Sequence, residues 1–382
     1  LSFQHFPNPT MHSTKHPIAI EDNVATFQLT SFHFGTPGSG KKVYIQASLH
    51  ADEVPAMLVA HHLRGELERL EAAGCIRGEV ILVPAANPIG LSQAIQGAPF
   101  GRFDLHTGVN FNRAYKHVAD ELKATLAGRL GPDAPANVAL IRQHARAAVA
   151  DWEPLDNAGA LKKILLSMAI DADIMLDLHC DNEAVLHLYT GAPLAEVVAP
   201  LSALMQAHAL LLALESGGEP FDEACSRLWW ELAAHFGPQV PIPPACVAVT
   251  VELRGEKDVS HALARQDAQA LLQFLARSGV LDIPQQALPE PLCKATPLEG
   301  VEPIVAPHSG VLVFLKQLGD KVAAGEPIAE LVNPVSGKVT PVASTRAGVL
   351  FASTAHRHLL RGMHVCKVAG STAFRSGDLL GN

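Results

Sequence analysis

His50 and Glu53 form the only His-x-x-Glu run in the chain. An imidazole and a carboxylate three apart in a strand-to-helix corner can reach one metal ion. A second histidine, His179, closes the run Asp177-Leu178-His179 at the end of an apolar stretch. Side chains alternate along a strand, so Asp177 shares a side with His179 and is placed to orient its imidazole. His50, Glu53 and His179 together make a His₂Glu set with one position open, the usual arrangement of a catalytic zinc. Glu252 closes the buried β-branched run Val249-Thr250-Val251. A carboxylate there is costly unless paired or functional, and it is suited to act as base to an activated water and then as acid to a leaving amine. Its plainer role is an ion pair with Arg254. Gly101-Arg102-Phe103 and Asn110-Phe111-Asn112-Arg113 complete the set. Arg113 offers a planar fork for a carboxylate, Asn112 a neutral donor, and Arg102 a cation for an oxyanion. Each residue alone reads as well as a loop histidine, a strand end or surface charge; their order and context favour chemistry.

These residues need a sheet to hold them. Val43–Ser48, Glu79–Val83, Ile174–Leu178, Leu211–Leu214 and Cys246–Val251 read as buried strands. Pro55–Ala73, Asn137–Ala150, Leu161–Ile170, Leu194–His208, Asp222–His235 and Ala262–Ser278 read as helices. Such alternation predicts an α/β domain with a parallel or mixed sheet, whose strand ends open onto the ligand crevice. The domain is expected over residues 23–283, after a poorly ordered lead-in at 1–22. Residues 115–165 read as a helical insertion that walls the pocket or builds an oligomer contact. The proline-rich stretch 284–299 reads as a linker. Residues 300–372 read as a small β barrel-sandwich with an internal repeat: Val305–Leu312 parallels Val342–Leu350, and Gly325 parallels Gly362.

One motif is set aside. Gly35–Lys42 nearly matches a phosphate-binding loop, but Lys42 replaces the hydroxyl residue that would hold magnesium, and the loop enters a strand rather than a helix. A glycine-rich hairpin turn is the expectation.

Composition limits the remaining classes. The 382 residues carry a net charge of -9, which argues against a broad nucleic-acid footprint, and no apolar run is long enough for a membrane helix. With 48% hydrophobic residues the chain has ample core and is not disordered. Six scattered cysteines without a CxxC pair read as reduced thiols. No secretory signal is recognisable, so a cytoplasmic protein is expected, with Met11 as a candidate start and residues 1–10 as an upstream extension.

Taken in order, HxxE, Asn87-Pro88, Asn112-Arg113, Asp177-Leu178-His179 and a strand-borne Glu252 resemble the succinylglutamate desuccinylase/aspartoacylase family, relatives of the M14 zinc carboxypeptidases, over about residues 25–280. The resemblance implies a carboxypeptidase-like α/β/α sandwich with a mixed sheet. It implies one Zn²⁺ per chain on His50, Glu53 and His179, with Glu252 activating water. Asn112 and Arg113 would bind a substrate carboxylate and Arg102 the oxyanion. The reaction implied is hydrolysis of the amide of a small N-acyl amino acid. Two departures stand out: Ala51 where the family often has Gly, and Asn110 opening the usual Asp-Leu-Asn-Arg run. The C-terminal part is similar to biotinyl and lipoyl carrier modules, but the residues around Lys338 lack the carriers' modification context, so an unmodified domain that narrows the site's mouth is expected. The other readings are a metallocarboxypeptidase acting on short peptides and a non-catalytic binding or carrier module. The partners expected are a small-molecule substrate and, from the apolar composition, a second copy of the chain.

Overall fold

The computed structural model describes residues 11–20 and 26–380. The expected upstream extension at 1–10 and the domain start at residue 23 lie outside the described residues. Among those described, nine strands form one mixed sheet in the order His12–Ile18, Phe27–Gly35, Gly78–Val83, Lys41–Ala47, Ile174–Asp181, Val247–Gly255, His187–Gly191, Ala209–Ala213, Ala295–Pro297. The four central strands, from Gly78–Val83 to Val247–Gly255, run parallel, and their side chains are almost all buried. Such strands must be apolar on both faces, which is why they read as continuous runs rather than alternations.

Helices cover both faces. Pro55–Ala72, Ala195–Met205 and His261–Arg277 lie on one side with Val59, Leu63, Leu67, Leu201, Leu271 and Leu275 buried. Ala119–Thr125, Ala134–Ala150, Asn157–Ala169 and Phe221–Phe236 cover the other, burying Leu122, Ile141, Leu165 and Trp229. The expected carboxypeptidase-like α/β/α sandwich is therefore the observed architecture. Within the 115–165 stretch, Asn157–Ala169 packs on the His12–Ile18 and Lys41–Ala47 strands, while Ala119–Thr125 and Ala134–Ala150 pack on neighbouring helices. Truncating any one of these fully buried leucines to alanine should cost about 2–5 kcal/mol.

Three sequence expectations change. Residues 12–18 are not a loose lead-in but an edge strand, paired antiparallel with Phe27–Gly35; Ile18 is buried and His16 Nε2 meets Ser31 Oγ at 2.8 Å. The Gly35–Lys42 loop is not a hairpin, because the strands it joins lie on opposite sides of Gly78–Val83. The loop must pass close over that strand: a Cβ at Gly35 would lie 2.1 Å from the Gly78 carbonyl oxygen, and one at Gly40 2.0 Å from that of Arg77. The glycines thus serve a backbone crossing. The proline-rich stretch also contributes Ala295–Pro297 as an edge strand, parallel to Ala209–Ala213.

The C-terminal residues form two antiparallel sheets around a shared core that includes Leu312, Ile328, Leu331, Leu350, Val365 and Val368. One sheet runs Val301–Val305, His364–Ala369, Gly348–Ser353, Lys321–Val322. The other runs Val339–Ala343, Pro327–Val332, Gly310–Phe314, His358–Leu359. Exchanging the two sequence halves converts one order into the other. Glu183–Ala184 of the larger domain pairs antiparallel with Gly348–Ser353, joining the two parts directly. All six cysteines are free thiols, and no helix among the described residues is long and apolar enough to cross a membrane.

Candidate active site

The Lys41–Ala47 strand ends at the sheet's carboxyl edge, and the next seven residues turn sharply into the Pro55–Ala72 helix. Ser48 takes a left-handed φ of 58°, and its hydroxyl donates to the Glu53 carbonyl at 2.9 Å, fixing the turn. Asn87 Nδ2 donates to the Leu49 carbonyl at 2.8 Å, and Ala51 N to the Gly101 carbonyl at 3.1 Å. A Cβ on Gly101 would stand 2.4 Å from Asp52 N, so glycine permits this approach. His50 and Glu53 are thereby held from three sides and are each 3% exposed.

His179 arrives on the neighbouring parallel strand, one residue beyond the Ala47–Leu178 register pair. Glu53 lies between the two histidines: His50 Nδ1 is 2.8 Å from Oε1 and His179 Nδ1 2.7 Å from Oε2. One ligand atom from each of His50, Glu53 and His179 lies within 4.8 Å of the others, the only such trio among the described residues. Burial opposes ionisation of Glu53, but the two imidazoles outweigh it and hold its carboxyl well below the usual range. For His179, burial disfavours the cation, yet Asp177 and Glu53 push its pKa well above the ordinary imidazole value.

The far sides of both rings are also occupied. Asp177 Oδ2 lies 3.0 Å from His179 Nε2, in ion-pair range without hydrogen-bond alignment, and Gln46 holds the other Asp177 oxygen at 2.9 Å. His50 Nε2 meets Asn110 Oδ1 at 2.8 Å. Asn110 was not singled out from the sequence as a partner for His50; its place at the head of the run before Arg113 was the available signal. Partners of this kind fix which ring nitrogen is left for a metal.

Arg102 reaches the trio from outside. Its Nη1 is 3.1 Å from His50 Nδ1 and 3.0 Å from Glu53 Oε1, while its side chain is half-exposed. A cationic group is thus already drawn to the point where the donor atoms converge, and the two-nitrogen, one-carboxylate chemistry suits a zinc-like divalent ion.

Glu252 stands across the parallel ladder from His179. Its Oε2 is buried without a hydrogen-bond partner, and burial together with the Glu53 charge pushes its pKa up to about 8. The ion pair with Arg254 is not made: Arg254 grips Asp267 with two bonds of 2.9 and 2.6 Å. Asn112 and Arg113 adjoin this region but are tied into the scaffold. Asn112 Oδ1 accepts from Phe221 N at 2.9 Å, and Arg113 Nη1 donates to the Asn112 carbonyl at 2.7 Å. Gly218, at φ +75°, packs on the Arg113 stem, where a Cβ would lie 2.6 Å from Cδ.

One charged group comes from the C-terminal sheets. Lys367 Nζ lies 2.6 Å from Asp181 Oδ2, at the end of the strand that carries His179. Arg357 clamps Glu183 just beyond, at 2.7 and 2.9 Å. No local sequence pattern marks these pairs, since their partners are more than 170 residues apart.

Comparison with known proteins bears out the resemblance read from the motifs. Residues 39–140, which carry His50, Glu53, Arg102, Asn112 and Arg113, match the sequence model of the succinylglutamate desuccinylase/aspartoacylase catalytic domain. Among curated proteins no match is found. A solved structure from Shewanella amazonensis SB2B, described as of this family, shares 26% identity over 94% of this chain and 98% of its own, with a TM-score of 0.78. Another so described, from Shewanella frigidimarina NCIMB 400, shares the fold at 24% identity over 95% and 98%, with a TM-score of 0.80. The product-bound ectoine utilization protein EutE (DoeB) of Ruegeria pomeroyi shares the fold at 16% identity over 96% and 98%, with a TM-score of 0.65.

Proposed function

We propose that this chain, whose residues 39–140 match the succinylglutamate desuccinylase/aspartoacylase catalytic domain, is a metal-dependent deacylase that hydrolyses the amide of a small N-acyl amino acid. The observation that carries the reading is the His50–Glu53–His179 convergence, with Glu252 in register beside His179. His50 and His179 through Nδ1, and Glu53 through its carboxylate, would hold one Zn²⁺. Bound there, the ion supplies Lewis acidity, polarising an acyl carbonyl and making a water more acidic.

The chain's own residues do the rest. Glu252 accepts the proton of the attacking water and delivers it to the departing amine. Burial and the Glu53 charge raise the pKa of this carboxyl, which strengthens it as a base toward the water. Arg102, beside Glu53, places positive charge where the carbonyl oxygen gains negative charge. Arg113 holds the substrate carboxylate through its planar fork, and Asn112 keeps that arginine and the Phe221–Phe236 helix in fixed relation. Lys367 and Arg357 seat the C-terminal sheets beside the ligand strand, which favours a small substrate over a peptide chain.

A panel of N-succinyl, N-acetyl and other N-acyl amino acids, assayed for amine release beside short peptides on the zinc-loaded protein, tests this. Release from acyl amino acids alone is expected. Release from peptides alone would make the protein a carboxypeptidase, and no release from either would remove the hydrolase reading.

A further inference from the structure

The histidines the catalytic site leaves unused include a cluster on the outer helical layer. His62, on the Pro55–Ala72 helix, and His261, the first residue of the His261–Arg277 helix, face each other across the seam between these two helices. His62 Nε2 lies 3.0 Å from His261 Nδ1, with the rings nearly perpendicular at 85° and their centroids 5.2 Å apart. His61 packs edge-on to His62. His62 lines an open cavity of about 480 Å³ together with His61, Glu66, Arg265 and Gln269.

Two nitrogens bound to one tetrahedral zinc at about 2.0–2.1 Å each are about 3.3 Å apart. The 3.0 Å separation is close to that bite, so a metal needs the shared proton lost and both rings tilted so that their lone pairs meet at a common point. Burial, then the neighbouring charges of His61 and Arg265, lowers the His62 pKa, which keeps its imidazole neutral and its lone pair available. Glu66, four residues beyond His62 on the same helix face, lines the same cavity; its carboxylate does not yet converge with both histidine nitrogens and must turn toward them to become a third donor. Glu66 is held by an exposed ion pair with Arg69 that solvent screens, so redirecting it is cheap. Arg265 is the charge that opposes a cation here, since Arg64 is paired with Glu68 at 2.8 Å, and the Glu66 carboxylate offsets it.

We propose that His62 and His261, assisted by Glu66, bind a second divalent transition-metal ion, in a site separate from the His50–Glu53–His179 trio. Pro55 opens the helix just after Glu53, and at 1.5 Å per residue His62 lies about 10 Å further along its axis. The site would pin that helix to the His261–Arg277 helix at the surface. It is independent of the proposed reaction, because its ligands touch none of the catalytic residues named above.

The test uses untagged, chelator-stripped full-length protein titrated with Zn²⁺ or Ni²⁺, reading bound metal per chain. Two equivalents are expected in the wild type. His62→Gln and His261→Gln, both at accessible positions, should each take up one equivalent while keeping the wild-type rate of amide hydrolysis. A metal count that neither His62→Gln nor His261→Gln lowers from the wild-type value would overturn the proposal. Failure of the trio to bind metal would instead show as one equivalent in the wild type that His62→Gln and His261→Gln each abolish, so the two failures are distinguishable.

Discussion

Glu252 and His179 are register partners on adjacent parallel strands, held by the centre of the sheet rather than by loops. Central strands are the most constrained part of such a fold, so this pair is set by the backbone ladder. The neighbouring strand on the other side delivers His50 and Glu53 at the same sheet edge. The proposed base and the proposed ligands therefore share one rigid frame, as a site needing fixed geometry requires.

Replacing Glu252 by glutamine keeps the shape and removes the proton acceptor. Turnover should fall by about 10²–10⁴-fold with the bound metal retained. Steady-state rates beside elemental analysis check this; wild-type turnover in Glu252→Gln would remove Glu252 from the mechanism.

The same residue has a stability signature in the metal-free protein. Its native carboxyl holds its proton to about pH 8, whereas the unfolded chain releases it near 4.5. Between those values this carboxyl binds its proton in the native state only, so its contribution to stability falls as pH rises from about 4.5 to 8 and is flat beyond. Glu252→Gln lacks this loss. Denaturant melts should show the variant gaining on wild type toward alkaline pH, by on the order of a few kcal/mol. A constant difference across that range would contradict the buried, raised carboxyl.

Asn110 receives His50 Nε2 at 2.8 Å and is itself buried. Asn110→Ala should weaken metal binding by about 10–100-fold, and Asn110→Asp, which keeps an acceptor oxygen, should restore most of it. Competition against a chelator of known affinity measures both. Equal affinity in Asn110→Ala would show that His50 is oriented by the backbone alone.

Lys367→Met leaves the Asp181 carboxylate without its cation at the seam between the C-terminal sheets and the ligand strand. The pair is mostly buried, so a loss of about 1–3 kcal/mol is expected in thermal or denaturant unfolding. A melt unchanged from wild type would show that backbone pairing through Glu183–Ala184 holds the seam alone.

Much of this site is legible in the sequence because its pieces are local. His50 and Glu53 are three apart, Asp177 and His179 two apart, and each group sits at the end of a strand whose apolar run is visible. Glu252 is conspicuous because a carboxylate closing a β-branched strand calls for a reason. Asn110 is hidden because nothing in a loop asparagine reveals which ring it meets. Lys367 and Arg357 are hidden because their partners, Asp181 and Glu183, lie across a domain seam. The strands at His12–Ile18 and His187–Gly191 carry polar residues and histidines, so their apolar signal is weak; tertiary pairing makes them strands.

Amide hydrolysis, as proposed, depends on the His50–Glu53–His179 trio holding a divalent ion. Its most direct test is amine release from N-acyl amino acids by chelator-stripped protein, before and after Zn²⁺ is restored, in wild type and in His179→Gln. No release is expected without metal, with recovery in the wild type on adding the ion and none in the variant. Turnover by the stripped protein equal to that of the loaded one would contradict it.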